Sequence, residues 1–351
     1  MLRRYLALRI CRSAARIRVL QPYVRRSGGA LRIVETLAAA LIVLAAADVE
    51  AQAYPTRPIR LIVPYTPGGT SDILARAIGQ KLNEVWGQPV IVENRPGANG
   101  NVGADLVAKA PADGHTLLLT DIGGLCISPS VFSTLPFDPS KDFEPVVMIS
   151  YSPHIFGVHP SLPASSVQEL VALAKSKPGR LNFAMSGVGG APHLAGVDFA
   201  LRAGIEWTYV PYKGGSQAVA DVVAGHADVL FNGMLPTYPF VKAGKLRALA
   251  VSSAKRVAAA PELPTVAEAG FPGFETGSWQ GVLAPAGTRR EIVDKLNGEI
   301  RRILNTPEMK ERLAAQGTEV RADSPEALAR FMRSEIARWA KVVKQSGVKI
   351  E

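Results

Sequence analysis

Ile59-Arg60-Leu61-Ile62-Val63 runs into Pro64-Tyr65-Thr66-Pro67-Gly68-Gly69-Thr70-Ser71-Asp72. Five residues rich in branched aliphatics read as a buried strand, and Pro64 ends it. Leu74, Ile78 and Leu82 follow at a spacing of four, one face of a helix with Thr70 or Ser71 as its N-cap. Gly68 and Gly69 between the two permit positive φ and a close backbone approach. A strand, a glycine turn and a helix N-terminus in that order make a place where backbone N–H groups face an anion.

The same construction recurs downstream. Leu181–Met185 reads as a strand, Ser186-Gly187-Val188-Gly189-Gly190-Ala191-Pro192-His193 as its turn, and Ala191–Arg202 as the helix. A weaker copy is Pro211-Tyr212-Lys213-Gly214-Gly215-Ser216, between strand Thr208–Val210 and helix Ser216–Ala224. Strands are also expected at Val90–Val92, Thr116–Thr120, Val229–Phe231 and Leu246–Val251, with a helix over Asn101–Lys109. Strands separated by single helices imply parallel sheets covered on both faces. Ligands of such sheets bind at the carboxyl ends of the strands, where these turns lie. From about Arg289 the chain reads as helical. Ile292, Leu296, Ile300 and Ile303 share one face, and a last helix opens at Ser324-Pro325 with Leu328, Phe331, Met332, Ile336 and Trp339 on its core side.

Composition must be read in two parts. The 351 residues carry 40 Lys+Arg and 30 Asp+Glu, a formal charge of +10, with 47% hydrophobic residues and two cysteines. Nine arginines lie within residues 1–36, ahead of the apolar run Leu37–Ala47 and the small residues Ala51 and Ala53. That is the pattern of a secretory signal, cleaved near Ala53-Tyr54 and too short in its apolar part to span a bilayer. Nine arginines and three acids (Glu35, Asp48, Glu50) leave with residues 1–53, so the charge falls to +4 over 298 residues. The bulk charge therefore does not argue for nucleic acid, and the exported protein is not expected to span the membrane. Cys11 leaves as well, and Cys126 is expected to be a buried spectator without a disulfide partner.

Signatures of chemistry are missing. Pro192 stands where a dinucleotide fingerprint needs glycine, Gly244-Lys245 is followed by Leu246 rather than Ser or Thr, and Ala184-Met185 before Ser186 breaks the nucleophile elbow. His154 and His159 lack metal spacing, and His193 reads as a support for the glycine turn. No cofactor or metal is expected. Asp72, Asp121 and Asp228 are candidate acceptors for a ligand, with helix capping an equal account of Asp72.

Residues 54–72 resemble the start of the extracytoplasmic receptors of tripartite tricarboxylate transporters, the Bug family. So do Glu93-Asn94-Arg95-Pro96-Gly97-Ala98, Asp113-Gly114-His115-Thr116-Leu117-Leu118, Ser186-Gly187-Val188-Gly189 with His193-Leu194, and Val210-Pro211-Tyr212-Lys213-Gly214. Leu263-Pro264-Thr265, Trp279-Gln280-Gly281 and Ala284-Pro285-Ala286-Gly287 extend the likeness. The resemblance implies an α/β, two-domain periplasmic binding protein of type II-like form, its parallel-rich sheets flanked by helices around an interdomain cleft. Domain 1 would comprise residues 54–151 and 254–351, and domain 2 residues 152–253. One ligand carboxylate would be held through backbone N–H groups and bridging waters by two facing loops, the first with Tyr65, Pro67, Gly68, Gly69, Thr70 and Ser71 and the second with Ser186, Gly187, Val188 and Gly189, His193 standing beside it. The distal end would meet Thr120, Ile122 and Gly123, with Tyr212, Asp228 and Phe231. Asp121, if it faced the cleft, would repel a second carboxylate. Asn99 and His115 stand where glycine and tyrosine are commoner, and both replacements are expected to be without consequence. The resemblance also implies a monomeric receptor, not an enzyme, that passes a small carboxylate to integral-membrane subunits. A receptor feeding a membrane sensor, or a secreted α/β hydrolase, are the rival readings.

Overall fold

The computed structural model describes residues 54–346; the expected signal segment lies outside them. The opening stretch folds as read: β1 (Ile59–Val63), then α1 (Thr70–Trp86), whose Leu74, Ile78 and Leu82 are buried. Next come β2 (Val90–Asn94), a single 3₁₀ turn (Ala98–Gly100), α2 (Asn101–Ala108), β3 (Thr116–Asp121) and α3 (Ile122–Val131). Strand β1 lies between β2 and β3, parallel to both.

The second set repeats the arrangement. It comprises α4 (Val167–Ser176), β5 (Asn182–Ser186), α5 (Ala191–Ala203), β6 (Thr208–Tyr212), α6 (Gly215–Val223), β7 (Val229–Gly233), α7 (Met234–Lys242) and β8 (Arg247–Val251). Here β5 is parallel to β6 and β7.

The two parallel sets are joined by strands the sequence pattern did not reveal. β4 (Phe143–Val158) and β9 (Gly277–Pro285) pair antiparallel, β9 also pairs antiparallel with β3, and the order is β2-β1-β3-β9-β4-β7-β5-β6. Along Phe143–Pro153, β4 faces β9; from His154 to Val158 it faces β7, with β8 alongside from Ile155. The expectation of parallel sheets thus holds for β1 to β3 and for β5 to β7, and fails for β4, β8 and β9, whose pairings are antiparallel. Pro145 and Pro153 demote β4 as a strand by pattern, and its ladder shifts register near Pro145 and again near Ser150.

Each set has its own core. Ile62, Leu118, Leu283, Leu328 and Met332 pack around β1, β3 and the last helix. In the second set Phe156 stacks on Phe231 at 4.2 Å and Phe183 on Trp207 at 4.7 Å. The C-terminal part follows the pattern read from it. α8 (Arg290–Leu304) buries Ile292, Leu296, Ile300 and Ile303. After α9 (Pro307–Ala314) and β10 (Glu319–Val320), α10 (Pro325–Ser346) is capped by Ser324, whose hydroxyl accepts from Ala327 N–H. Cys126 is buried in the first core, and its thiol pKa is pushed up, by burial first. Among the described residues no helix is long and apolar enough to cross a membrane.

Candidate functional site

Five helices begin at one cavity of about 60 Å³. Their N-cap residues are Gly69 of α1, Asp121 of α3, Gly190 of α5, Gly214 of α6 and Gly233 of α7, and all five line it. The expected Thr70 or Ser71 cap is replaced by Gly69, in extended conformation and without a side-chain cap bond. Gly190 and Gly214 likewise supply no side-chain acceptor. A side-chain cap would occupy the first-turn N–H groups, whereas a glycine cap leaves them for a ligand. Each terminus also carries the positive end of a helix dipole, worth about 0.3–1 kcal/mol toward an anion at an exposed site and more when partly buried. At α7 Ser152 Oγ accepts from Met234 N–H at 3.3 Å, and at α3 Asp121 accepts from Gly124 N–H at 3.3 Å.

The walls are mostly uncharged. Ser71 Oγ donates to Gln280 Oε1 at 2.6 Å, Ser186 Oγ to Asn232 Oδ1 at 3.3 Å, and Asn232 Nδ2 to Thr237 Oγ1 at 2.9 Å. Among the described residues no lysine or arginine lines the cavity, and Tyr65 and Asp121 are its ionisable groups. Burial pushes the Asp121 carboxyl up to about 6, against the lowering effect of bonds from Ser278 and the N–H groups of Gly124, Trp279 and Gly123. Burial first, and then the Asp121 charge, raise the Tyr65 phenol. The hydroxyl of Ser278 also meets His154 Nε2 at 3.2 Å, linking the site to the strand junction. On its other side the same imidazole lies 3.0 Å from Thr276 Oγ1 through Nδ1.

The two glycine turns meet the cavity with their ends. In the first, Tyr65, Gly69, Thr70 and Ser71 line it. Pro67 and Gly68 do not; Gly68 takes φ +79° and its N–H donates to Asp72 Oδ2 at 2.9 Å. In the second, Ser186 lines it with Gly190, Ala191 and Pro192. Gly187 and Gly189 supply positive φ, Val188 packs on the aromatic core, and His193 Nδ1 accepts from Gly189 N–H at 3.0 Å. His193 thus orients the turn. The expected distal residues divide. Asp121 and Gly124 reach the cavity, whereas Thr120, Ile122 and Gly123 do not, Ile122 being in the first core. Tyr212 donates its hydroxyl to Asp221 at 2.8 Å and its carbonyl accepts from Gly187 N–H. Phe231 is in the aromatic core, and Asp228 accepts from Asn182 N–H at the far end of β7.

Asn99, Asn232, Gly233, Ser278 and Gln280 also line the cavity and were not singled out as site residues. Asn232-Gly233 follows the strand-then-glycine rule, but Pro236 and Pro239 hid the helix behind it. Ser278 and Gln280 alternate along β9, a strand that pattern did not reveal.

A family model for the tripartite tricarboxylate transporter family receptor matches residues 74–348. The chain belongs to that family. It is therefore a periplasmic solute-binding receptor rather than an enzyme. Protein BugT of Bordetella pertussis is 38% identical over 307 residues, covering 87% of this chain and 94% of BugT. An R. palustris protein solved with adipate is 40% identical with a TM-score of 0.81, over 84% of this chain and 98% of that one. MatC from Rhodopseudomonas palustris, solved with bound malate, is 32% identical with a TM-score of 0.79, over 83% of this chain and 100% of MatC.

Proposed function

We propose that this receptor captures a small carboxylate by closing two lobes on it and delivers it to the integral-membrane subunits of a tripartite transporter. The observation that carries the reading is the convergence of five helix N-termini, three with bare glycine caps, on a cavity that no lysine or arginine lines among the described residues. Such a site suits an anion held by backbone N–H groups and dipoles. Related receptors solved with adipate and malate support a carboxylate as that anion.

The lobes of this reading are residues 54–151 with 254–351, and residues 152–253. The handover of β4 from β9 to β7 and β8 at Pro153 and His154 supports a hinge there. Thr66 Oγ1 lies 2.9 Å from Ser216 Oγ, so the first turn touches the start of α6 as a closed cleft requires. Export, with cleavage near Ala53-Tyr54, completes the proposal.

A thermal-shift screen of the purified protein against small carboxylates tests it. Ligand at about 100 times Kd adds about 2.7 kcal/mol of apparent stability. No shift with any carboxylate of a broad panel overturns the reading. A Cβ at Gly69 meets only Thr66 O, at 3.5 Å, so Gly69→Val keeps the fold while its side chain intrudes on the cavity. Calorimetric titration with a carboxylate identified by the screen should show that binding is lost.

A further inference from the structure

We propose that Asn99 sets ligand specificity, its side-chain amide donating a hydrogen bond to a neutral oxygen, hydroxyl or carbonyl, borne by the carboxylate. This inference rests on the reading of the cavity as a carboxylate site. Asn99 sits in the 3₁₀ turn with φ 55° and ψ 29°, in a run of four positive-φ residues from Gly97 to Gly100. Glycine occupies such a backbone at least cost, and asparagine is among the few others that tolerate it. The side chain has a place to go. Oδ1 reaches the second glycine turn, where a Cβ on either Gly187 or Gly190 would stand 2.6 Å from it.

Nδ2 is shut off from solvent and has no hydrogen-bond partner; among the described side chains lining the cavity it is the one such buried atom. A buried donor without an acceptor is costly, so it marks where an acceptor belongs. Nδ2 and the Tyr65 hydroxyl both lie against Gly124, 3.8 and 3.3 Å from where its Cβ would be. Asp121 shares this wall but does not serve Asn99. Its oxygens already take bonds from Ser278 and from three backbone N–H groups, those of Gly123, Gly124 and Trp279. Its charge still disfavours a second carboxylate beside the amide, while a hydroxyl or carbonyl oxygen carries no charge to be repelled.

The test is calorimetric titration of the protein and of Asn99→Gly with two matched pairs, propanoate and lactate, succinate and malate. The members of each pair differ by one hydroxyl. The wild type should bind the hydroxylated member about tenfold more tightly in at least one pair. Asn99→Gly suits the left-handed turn, so it should bring that ratio near one by weakening the hydroxylated member about tenfold more than the other. Asn99→Asp, equal in size but with the donor replaced by a charge, should weaken binding of all four acids. A preference that survives Asn99→Gly, or no preference in either pair, overturns the inference alone. Failure of all four acids to bind the wild type counts against this inference, and a silent broad screen would overturn the carboxylate reading beneath it.

Discussion

The turn after β1 and the turn after β5 solve one problem with different chemistry. In each, a glycine N–H is caught by a side chain four residues on, one turn into the following helix: Gly68 by Asp72, Gly189 by His193. Asp72 is a carboxylate embedded in a network, accepting also from Arg76 Nε and from Asn94 Nδ2, both at 3.0 Å, while Asn94 reaches on to Tyr65 O. His193 is a neutral imidazole acting alone. Burial raises the Asp72 carboxyl, but the bonds from Arg76, Gly68 N–H and Asn94 outweigh it and leave its pKa below the ordinary value. Burial lowers His193 to about 4. The lesson is that neither clamp places an uncompensated negative charge beside the helix N-termini: one acid is matched by an arginine, and the other acceptor is uncharged.

The largest effect should come from substituting the cap glycine of the second turn. At Gly190 a Cβ would meet Asn99 Oδ1 at 2.6 Å and the carbonyls of Gly187 and Ser186 at 3.3 Å, whereas Gly69 is open. Gly190→Val should abolish carboxylate binding and also destabilise the protein by about 1–3 kcal/mol, as overpacking does. Urea unfolding beside titration checks this; a stability equal to that of Gly69→Val would break the contrast.

Acid should separate the clamps next. A depressed imidazole pKa means that neutral His193 stabilises the fold fully above about pH 6.5. That contribution is lost as the pH falls toward 4, by at most about 3 kcal/mol at the shift cited. The His193→Gln variant should therefore lose less stability than the wild type between pH 7 and 4.5 in parallel urea titrations. Identical slopes would show that His193 is not the acid-sensitive part. His154, lowered to about 3 by burial, remains in both proteins and does not disturb the difference.

Asp72→Asn should leave binding in place and cost stability alone, about 1–3 kcal/mol, because one hydrogen-bonded oxygen becomes an N–H₂ that faces donors. Its melting temperature at pH 7 measures the loss, and an unchanged value would make the first network ornamental.

These turns were legible because each follows a short aliphatic run and precedes a helical stripe, a local signal within about 20 residues. What escaped was built from distant or disguised pieces. β4 carries Pro145, Pro153 and the inward polar residues Ser150, Ser152 and His154, so its short apolar run over residues 146–149 is cut off on both sides and does not reveal a 16-residue strand. β7 was read, but the helix after it begins Met-Leu-Pro and holds a second proline. Asn99 reaches Gly187, 88 positions away, only after both sets have folded. The cap of α1 was misassigned for a related reason. Hydroxyl residues usually cap helices, and here the demand for free N–H groups puts glycine in that place instead.

That no lysine or arginine lines the cavity among the described residues bears on how the ligand arrives. Full charges project a field that steers ligands from a distance and fades over a Debye length of about 8 Å at physiological ionic strength. Helix ends and backbone amides act within the last turn and have almost no far field. Encounter with this site is then a matter of diffusion and fit. The Asp121 carboxylate in the wall offers a carboxylate ligand no attraction at a distance, so concentrated salt should not slow its capture.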